Sequence, residues 1–174
     1  MAIIKDVRGF TPKIGKNCFL AETAAIIGDV TIGDDCSIWY GTVLRGDVNT
    51  ITIGNKVNIQ DGAVIHTLYK RSVTKIGNNV SIGHNATIHG ATIEDNCLIG
   101  MGAVVMESVV GENCIIAAGS VLPAGKTIES GSMVMGVPAK AVRKLTSEEI
   151  AGIKENAEVY VKLAKVFAKE CKEI

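Results

Sequence analysis

Aliphatic side chains recur at every sixth position along most of the chain. The series comprises Ile14, Leu20, Ile26, Ile32, Ile38 and Leu44, then Ile53, Ile59 and Ile65, then Ile76, Ile82 and Ile88, then Ile93, Ile99 and Val105, and finally Val110, Ile116, Leu122, Ile128 and Val134. A period of six fits neither the 3.6-residue repeat of a helix nor the two-residue alternation of a flat strand. It fits short strands separated by turns, so the pattern predicts an all-β solenoid of stacked parallel strands.

The repeat resembles that of the hexapeptide-repeat family. The resemblance implies a left-handed parallel β-helix of triangular cross-section, in which three hexads make one turn of about 18 residues. Successive turns are then expected to stack about 4.8 Å apart, the spacing of neighbouring strands. We name the three sides a, b and c, with Ile14 on side a, Leu20 on side b and Ile26 on side c.

Four of the five cysteines fall into one column of this register. Each lies four residues after a side-a aliphatic residue, and valine fills the same place in the two intervening turns, so that the column reads Cys18, Cys36, Val57, Val80, Cys97 and Cys114. Such a column is most simply a packing feature. An odd cysteine count without a C-x-x-C pair also argues against a disulfide framework or a zinc ribbon. Cys18 and Cys36 are close enough to be bridged, but a cytosolic setting disfavours the bridge.

The six-residue pattern ends after Val134 with GVPAKAVRKL. Residues 146–149, TSEE, then match a capping box at a helix start. Apolar residues follow at alternating three- and four-residue steps, which predicts one apolar stripe along a helix of about 25 residues: Ile150, Ile153, Ala157, Tyr160, Ala164, Phe167 and Cys171. We therefore expect a β-helix over residues 1–145 and a C-terminal helix over 146–174, packed on a side of the prism or across a subunit boundary. Both signs of charge on its polar face argue against a membrane-surface helix.

Composition and charge narrow the function classes. The 174 residues include 18 Lys+Arg and 18 Asp+Glu, a net charge of zero, so nothing suggests a nucleic-acid or anionic-membrane partner. Hydrophobic residues make up 47% but aromatic residues only 4%, which is typical of a core of small β-branched side chains. There is no basic start followed by an apolar run and no apolar segment of about 18 residues. We expect a soluble cytoplasmic protein.

Two of the three histidines follow side-c aliphatic residues. His66 follows Ile65 and His89 follows Ile88, so both hold the second hexad position on side c in successive turns, and Arg45 holds it one turn earlier. Stacked about 4.8 Å apart, the two imidazoles can each place a nitrogen about 2.0–2.1 Å from one zinc ion. Insertions also interrupt the repeat within RGDVNT and HTLYKRSVT. Insertions in a solenoid form loops that often lie on the binding face.

The remaining histidine occupies a different column. His84 holds the third position on side b, stacked over Asp61 and Tyr40. The five-residue gap therefore places His84 and His89 on different sides of the prism, pointing away from a common centre. If all three histidines bind one metal, the third ligand comes from a neighbouring subunit, which predicts an oligomer with threefold symmetry. A single histidine acting as general base is the simpler alternative.

Three motifs narrow the interpretation: LRGDV (44–48), NIQDGAVIH (58–66) and GHNATIHG (83–90). In this order they resemble the signature of γ-class carbonic anhydrases and their close homologues. The resemblance covers nearly the whole chain, including the C-terminal helix. It implies a homotrimer with three metal sites, in which His66 and His89 of one subunit are joined by His84 of the next. It also implies that Arg45 and Asp47 form an ion pair between subunits.

The same resemblance implies a mechanism. Three neutral imidazoles leave the metal its full charge and an open position for water, and such a metal lowers the pKa of that water from 15.7 to about 7. The resulting hydroxide attacks carbon dioxide to give bicarbonate, with Gln60 and Asp61 beside it and Gln60 orienting the nucleophile. Tyr160 and Asn156 resemble the helix residues that approach the site. Zinc, iron and cobalt all suit such a site.

This chain departs from the best-characterised members of that family in the loop after His66. The sequence TLYKRSV carries Lys70 and Arg71 and no carboxylate, whereas the prototype has an acidic loop with a glutamate proton shuttle. We therefore expect proton export to be slow. Two alternatives stay open. One is a hexapeptide-repeat acyltransferase with a single histidine base and a coenzyme A groove, a group in which GVPAK also occurs; the other is a non-catalytic metal-binding or assembly protein.

Overall fold

The computed structural model describes residues 1–171, and residues 172–174 of the predicted 146–174 segment lie outside the described residues. Within them the chain forms short strands followed by one long helix. In chain order the elements are β1 (Ile3–Lys5), β2 (Lys13–Ile14), β3 (Phe19–Leu20), β4 (Ala25–Ile32), β5 (Ser37–Ile38), β6 (Val43–Ile53), β7 (Asn58–Ile59), β8 (Val64–His66), β9 (Thr74–Ile76), β10 (Ser81–Ile82), β11 (Thr87–His89), β12 (Thr92–Ile93), β13 (Leu98–Ile99), β14 (Val104–Met106), β15 (Val109–Val110), β16 (Ile115–Ile116), β17 (Val121–Leu122), β18 (Thr127–Ile128), β19 (Ser132–Gly136), β20 (Ala139–Lys144) and α1 (Ser147–Glu170).

The strands stack into a parallel β-solenoid of about seven turns. Side b is one sheet, in the order β20-β19-β16-β13-β10-β7-β5-β3, and β20 closes its end antiparallel to β19. Sides a and c join into a second sheet, because β4 and β6 run around the corner between them. The architecture confirms the predicted solenoid of hexapeptide repeats with a C-terminal helix. The division of the chain into two units at residue 145 stays a prediction.

The predicted register is the register of the structure. On side c, for example, Ile88 pairs with Ile65 in the turn before and with Val105 in the turn after. All three side chains are fully buried, since one side chain in each strand points into the prism. Burying each such side chain stabilises the fold by about 1.5–3 kcal/mol. The neighbouring residue in each strand faces outward, which makes the outer surface available for polar groups.

At the corner between sides a and b, one residue in each of six successive turns adopts the left-handed backbone conformation. These residues have φ between 54° and 57°, and they are Asn17, Asp35, Lys56, Asn79, Asn96 and Asn113. Asn and Asp tolerate this region of φ better than other non-glycine residues do. Lys56 is the exception, and its ammonium group bonds the Glu158 carboxylate of α1 at 2.6 Å. The left-handed conformation required at these corners therefore explains why Asn or Asp recurs once per turn beside the aliphatic repeat.

The cysteine column lies just before side b. Cys36, Cys97 and Cys114 are fully buried, as are the valines that share the column. The thiols donate to carbonyl oxygens of the next turn, with Cys36 Sγ 3.1 Å from the Gly54 oxygen and Cys97 Sγ 3.1 Å from the Gly111 oxygen. All the cysteines of the described chain are unbridged. The predicted packing role is confirmed for these three.

The C-terminal helix lies along side b, where it contacts β3, β5, β7 and β10. Ile153, Ala157 and Ala164 of the predicted stripe are buried against the strands. Trp39 anchors the helix, with its ring 5.0 Å from that of Phe167. Within this chain the helix packs on a side of the prism, and a contact of the helix across a subunit boundary stays a prediction. No helix within residues 1–171 is long and apolar enough to cross a membrane, and the cytoplasmic location stays a prediction.

The capping box at the start of α1 is confirmed. Thr146 Oγ1 accepts from the Glu149 backbone N–H at 3.2 Å, and the Glu149 carboxylate accepts from the Thr146 N–H at 2.9 Å. Two guanidinium N–H groups of Arg143 also donate to Glu149, each at 2.7 Å. These bonds, first from Arg143 and then from the Thr146 backbone, lower the pKa of Glu149 to about 2.

The capping carboxylate predicts a pH-dependent stability. A carboxyl group whose pKa falls on folding stabilises the fold above its unfolded pKa of about 4.3, and it loses that contribution as the pH falls towards the folded value. We expect Glu149→Gln to lower the melting temperature at neutral pH, and the difference from wild type to shrink as the pH falls from about 5 to about 3. Circular dichroism melts measure both, with Glu155→Gln on the exposed helix face as control. A gap that widens in acid would contradict the assignment.

Candidate metal centre

His66 and His89 form an outward-facing pair on side c. Arg45 of β6, His66 of β8 and His89 of β11 are paired in register across three neighbouring strands. His66 Nδ1 lies 3.2 Å from His89 Nε2, and the ring centroids are 5.2 Å apart. The stacked column predicted from the six-residue register is therefore present, with one nitrogen of each ring facing the other.

Asp47 binds two members of this column, Arg45 and His66. Its Oδ1 lies 3.0 Å from His66 Nε2, and its Oδ2 accepts from Arg45 Nη1 at 2.6 Å. Arg45 and Asp47 are two residues apart on one strand, so their side chains share a face. The structure thus makes the Arg45–Asp47 ion pair within one chain, whereas the resemblance placed it between subunits. An interface role for the pair stays a prediction.

The surroundings favour neutral imidazole and ionised carboxylate. Burial lowers the pKa of His89, and repulsion from His66 lowers it further. Burial works to raise the pKa of Asp47, but the hydrogen bonds from His66 and Arg45 outweigh it and hold that pKa below the usual value. Neutral imidazole is the form of histidine that binds metal, so the lowered pKa favours the form of His89 that ligation requires.

His84 lies in the column predicted for it, at the corner between sides b and c. Asn85 N donates to the Asp61 carbonyl, and Gly62 N donates to the Tyr40 carbonyl, which stacks His84 over Asp61 and Tyr40. His84 Nδ1 is 2.9 Å from Asp61 Oδ2, and both side chains are more than 40% exposed. The structure therefore does not bring His84 to the His66–His89 pair. Within residues 1–171 of one chain, no three His, Cys, Asp or Glu side chains are arranged to hold a metal ion.

A groove between α1 and side b collects four of the predicted site residues. It has a volume of about 410 Å³, and its polar lining includes Gln60, His84, Asn156 and Tyr160. Burial and then the charge of Asp61 raise the pKa of Tyr160. One chain therefore carries two separate clusters: the pair cluster (His66, His89, Asp47 and Arg45) on side c and the groove cluster (His84, Asp61, Gln60, Asn156 and Tyr160) beside the helix.

The chain matches known proteins over most of its length. The bacterial transferase hexapeptide (six repeats) family matches residues 11–46, 73–106 and 90–124. A probable carbonic anhydrase of Methanocaldococcus jannaschii is 56% identical over 155 residues, which are 88% of this chain and 97% of that protein. The mitochondrial γ carbonic anhydrase 2 of Arabidopsis thaliana is 46% identical over 166 residues, which are 92% of this chain and 60% of the plant protein. The chain belongs to the γ-class carbonic anhydrase family.

Transferases share the fold of this γ-class family member. The crystal structure of a putative acetyltransferase of Bacillus cereus superimposes with a TM-score of 0.92 at 34% identity and covers 95% of this chain and 96% of that chain. The chain spans nearly the full length of the archaeal relative but 60% of the plant relative. Family membership and fold are therefore established, and the reaction has to be argued from the two clusters.

The donor set of this γ-class chain fits a divalent metal. Two of its histidines each bond a carboxylate through one ring nitrogen: His66 bonds Asp47 at 3.0 Å and His84 bonds Asp61 at 2.9 Å. Metal-binding histidines are typically held by such carboxylate partners, which fix the tautomer and the ring orientation. Nitrogen donors of this kind suit zinc, iron and cobalt. The fit of these residues to a metal is argued from the chemistry of the donor atoms, because His84 lies outside the pair cluster of the same chain.

A buried polar network supports the groove cluster and was not predicted from the sequence. Asn58 Nδ2 and Asn156 Nδ2 both donate to Ser81 Oγ, at 2.7 and 2.8 Å. Gln60 Nε2 donates to Asn58 Oδ1 at 3.1 Å. Asn58 and Ser81 are almost fully buried, so their bonds are shielded from water. Asn58 lies within the NIQDGAVIH motif, and this was the one signal that pointed to it.

A carboxylate near the pair cluster was also missed. Glu107 follows β14, and its backbone N–H donates to the His89 carbonyl oxygen at 2.8 Å. Its Oε2 lies 2.7 Å from Arg71 Nε. The loop after His66 lacks an acidic residue, as the sequence showed. A later turn of the solenoid supplies the carboxylate of Glu107, which binds Arg71 of this loop. Lys70 lies 5.2 Å from the Tyr69 ring centroid.

Proposed function

We propose that this chain is a metal-dependent carbonic anhydrase that hydrates carbon dioxide reversibly to bicarbonate. The observation that carries the proposal is the division of the three histidines between two clusters of one chain, each with its own carboxylate support. Relatives named carbonic anhydrase at 46% and 56% identity support the same activity. The substrate is then a small molecule, and neither a nucleic acid nor a membrane is required.

The proposed metal site forms between subunits. His66 and His89 supply two nitrogens on side c, while His84 lies on another corner with its ring about two-fifths exposed. A second copy that places its His84 against the pair cluster completes a three-histidine site, which is an open coordination set for catalysis. The contact joins two different surfaces, so it is heterologous and closes most simply as a ring. A homotrimer with three equivalent sites follows for a three-sided prism.

Zinc, or alternatively iron or cobalt, is the proposed cofactor, and when bound it lowers the pKa of a coordinated water from 15.7 to about 7. The chain's own residues orient the reactants. Asp47 holds the His66 ring, and Asp61 holds the His84 ring, through the hydrogen bonds described above. Neutral histidine ligands would leave the positive charge of the metal ion unchanged, and these two carboxylates would offset part of it.

Gln60 is the proposed orienting residue for the attacking water. Its Nε2 is engaged by Asn58 Oδ1, which leaves the side-chain oxygen to accept a hydrogen bond from that water. The amide is held on a short chain of bonds that runs through Asn58 and Ser81 to Asn156 of the helix. Tyr160 and Asn156 close the helix side of the groove and limit the access of bulk water.

Metal analysis and a carbon dioxide hydration assay on the same preparation test this function. We expect about one equivalent of zinc, iron or cobalt per subunit in protein prepared without chelator. We also expect hydration activity that is lost on chelation and restored by the metal. Metal-free protein that binds coenzyme A would instead support the acyltransferase alternative, which the B. cereus structure keeps open. Full metal occupancy without hydration would point to a non-catalytic metal-binding protein.

A further inference from the structure

The cysteine column begins with a member that is open to solvent. Cys18 lies on the first turn of the solenoid at this corner, so no earlier turn covers it, and it is only partly buried. Cys36, Cys97 and Cys114 lie between turns on both sides and are fully buried. One thiol of the column is therefore accessible, and its neighbour in the column is not.

Cys18 and Cys36 are matched neighbours on adjacent turns. Phe19 pairs with Ser37 directly after them, and the Phe19 N–H donates to the Cys36 carbonyl at 2.9 Å. Neighbouring strands lie about 4.7–4.9 Å apart, which falls within the Cα separation of about 4.4–6.8 Å that a disulfide requires. Both thiols point the same way, since Cys18 Sγ is 3.1 Å from the Gly33 oxygen and Cys36 Sγ is 3.1 Å from the Gly54 oxygen.

The surroundings of Cys18 combine an open cavity, charges of both signs and a second thiol. Cys18 lines an open cavity of about 390 Å³ between the solenoid and the end of α1, together with Lys165 and Lys169. The neighbouring Cys36 thiol lowers the pKa of Cys18 to about 7 although burial and the charges of Asp34 and Asp35 act in the opposite direction, whereas the Cys18 thiol and burial raise the pKa of Cys36. An accessible thiol of lowered pKa next to a second thiol is the arrangement of a reactive cysteine with a resolving partner.

We propose that Cys18 and Cys36 form a redox site that reacts with small disulfides. The Cys18 thiolate attacks one sulfur of the small disulfide, whose S–S bond breaks and releases one thiolate. Cys36 then gives its proton to water, and its sulfur attacks Cys18, breaking the mixed disulfide and releasing the second thiolate. The two cysteines are oxidised to one disulfide, and the small disulfide is reduced to two thiols.

The chain contains its own matched control in Cys97 and Cys114. These two also occupy adjacent turns of the column, and the Cys97 thiol likewise lowers the pKa of its neighbour Cys114 to about 7. Cys97 and Cys114 differ from the first pair in being fully buried, with Val80 on one side and Ser132 on the other. Exposure of the attacking thiol, rather than its pKa, is thus what distinguishes the two pairs.

Oxidised glutathione is the probe, applied to the reduced full chain carrying Cys171→Ser, which removes the exposed thiol at the helix end. Peptide mapping by mass spectrometry is expected to find a Cys18–Cys36 disulfide, while Cys97 and Cys114 remain thiols and react at least about tenfold more slowly because they need local unfolding. Adding Cys36→Val should stop the reaction at a stable glutathione adduct on Cys18. Valine already occupies this column at two positions, so the variant is expected to fold.

Four results would overturn the proposal. The first is an unmodified Cys18 in both the parent and the Cys36→Val variant. The second is a glutathione adduct on Cys18 of the parent that never resolves into the disulfide. The third is modification of Cys97 or Cys114 as fast as Cys18, which would make exposure irrelevant. A Cys18→Val variant should leave Cys36 unmodified, and its oxidation at the parent rate would equally contradict the order of the two steps.

Discussion

Replacing His84 with alanine is expected to remove the bound metal and to reduce carbon dioxide hydration by more than about a hundredfold. Loss of a supporting residue outside the ligand set typically costs about 10–100-fold in metal affinity or activity, and loss of one of three ligands should cost more. The effect is informative because His84 lies outside the His66–His89 pair in the structure. A site confined to one chain would not need it.

Metal content after gel filtration and the hydration rate per folded subunit measure this effect. His89→Ala should have the same consequence, since both variants leave two imidazoles at each site. Met101→Ala is the matched control, because Met101 follows His84 in the same column one turn on and is exposed but has no ligand role. Retention of a full equivalent of metal in His84→Ala would show that the third ligand is not this histidine.

Replacing Ile88 with alanine is expected to destabilise the solenoid by about 2–5 kcal/mol. Ile88 is fully buried, and it lies between Ile65 and Val105 on side c, so truncation leaves a cavity that two rigid neighbouring turns cannot fill. For a chain of this size the loss corresponds to roughly 5–15 °C in melting temperature. The adjacent His89 faces outward, so metal bound per folded molecule should be preserved.

Ile88→Val is the control for that experiment. Val105 already fills the same column position in the next turn, and removing one methyl group from a core isoleucine typically costs about 0.5–1.5 kcal/mol. Thermal unfolding of the three proteins at one concentration compares them. Equal melting temperatures for Ile88→Ala and wild type would mean that the interior of the prism is not the close-packed core described here.

The solenoid could be predicted from the sequence because the same feature, an aliphatic residue at every sixth position, recurs in every turn. Once Ile65 and Ile88 are aligned, the positions of His66 and His89 follow, and with them the different column of His84. The residue spacing also explains why His84 and His89, five residues apart, do not form a local pair. The left hand of the β-helix, by contrast, came from the resemblance to a family and not from the period.

Contacts between distant elements escaped prediction. The Asn156–Ser81 bond joins the helix to side b across 75 residues, and no periodicity relates those two positions. The Arg71–Glu107 ion pair depends on how the inserted loop after His66 folds back over the next turns. The Arg45–Asp47 ion pair is instead a short-range contact between two residues of one strand. The resemblance implied an ion pair between subunits.

The most direct test of the central claim, that each metal site is shared between two subunits, is the metal content of mixed oligomers. His84→Ala and His89→Ala chains carrying different affinity tags are co-expressed and purified through both tags. Each variant alone should lack metal, but every mixed threefold ring contains one junction at which an intact pair cluster meets an intact His84. We predict about one metal ion and restored hydration activity per mixed trimer. Mixed oligomers as free of metal as the parent variants would contradict a shared site.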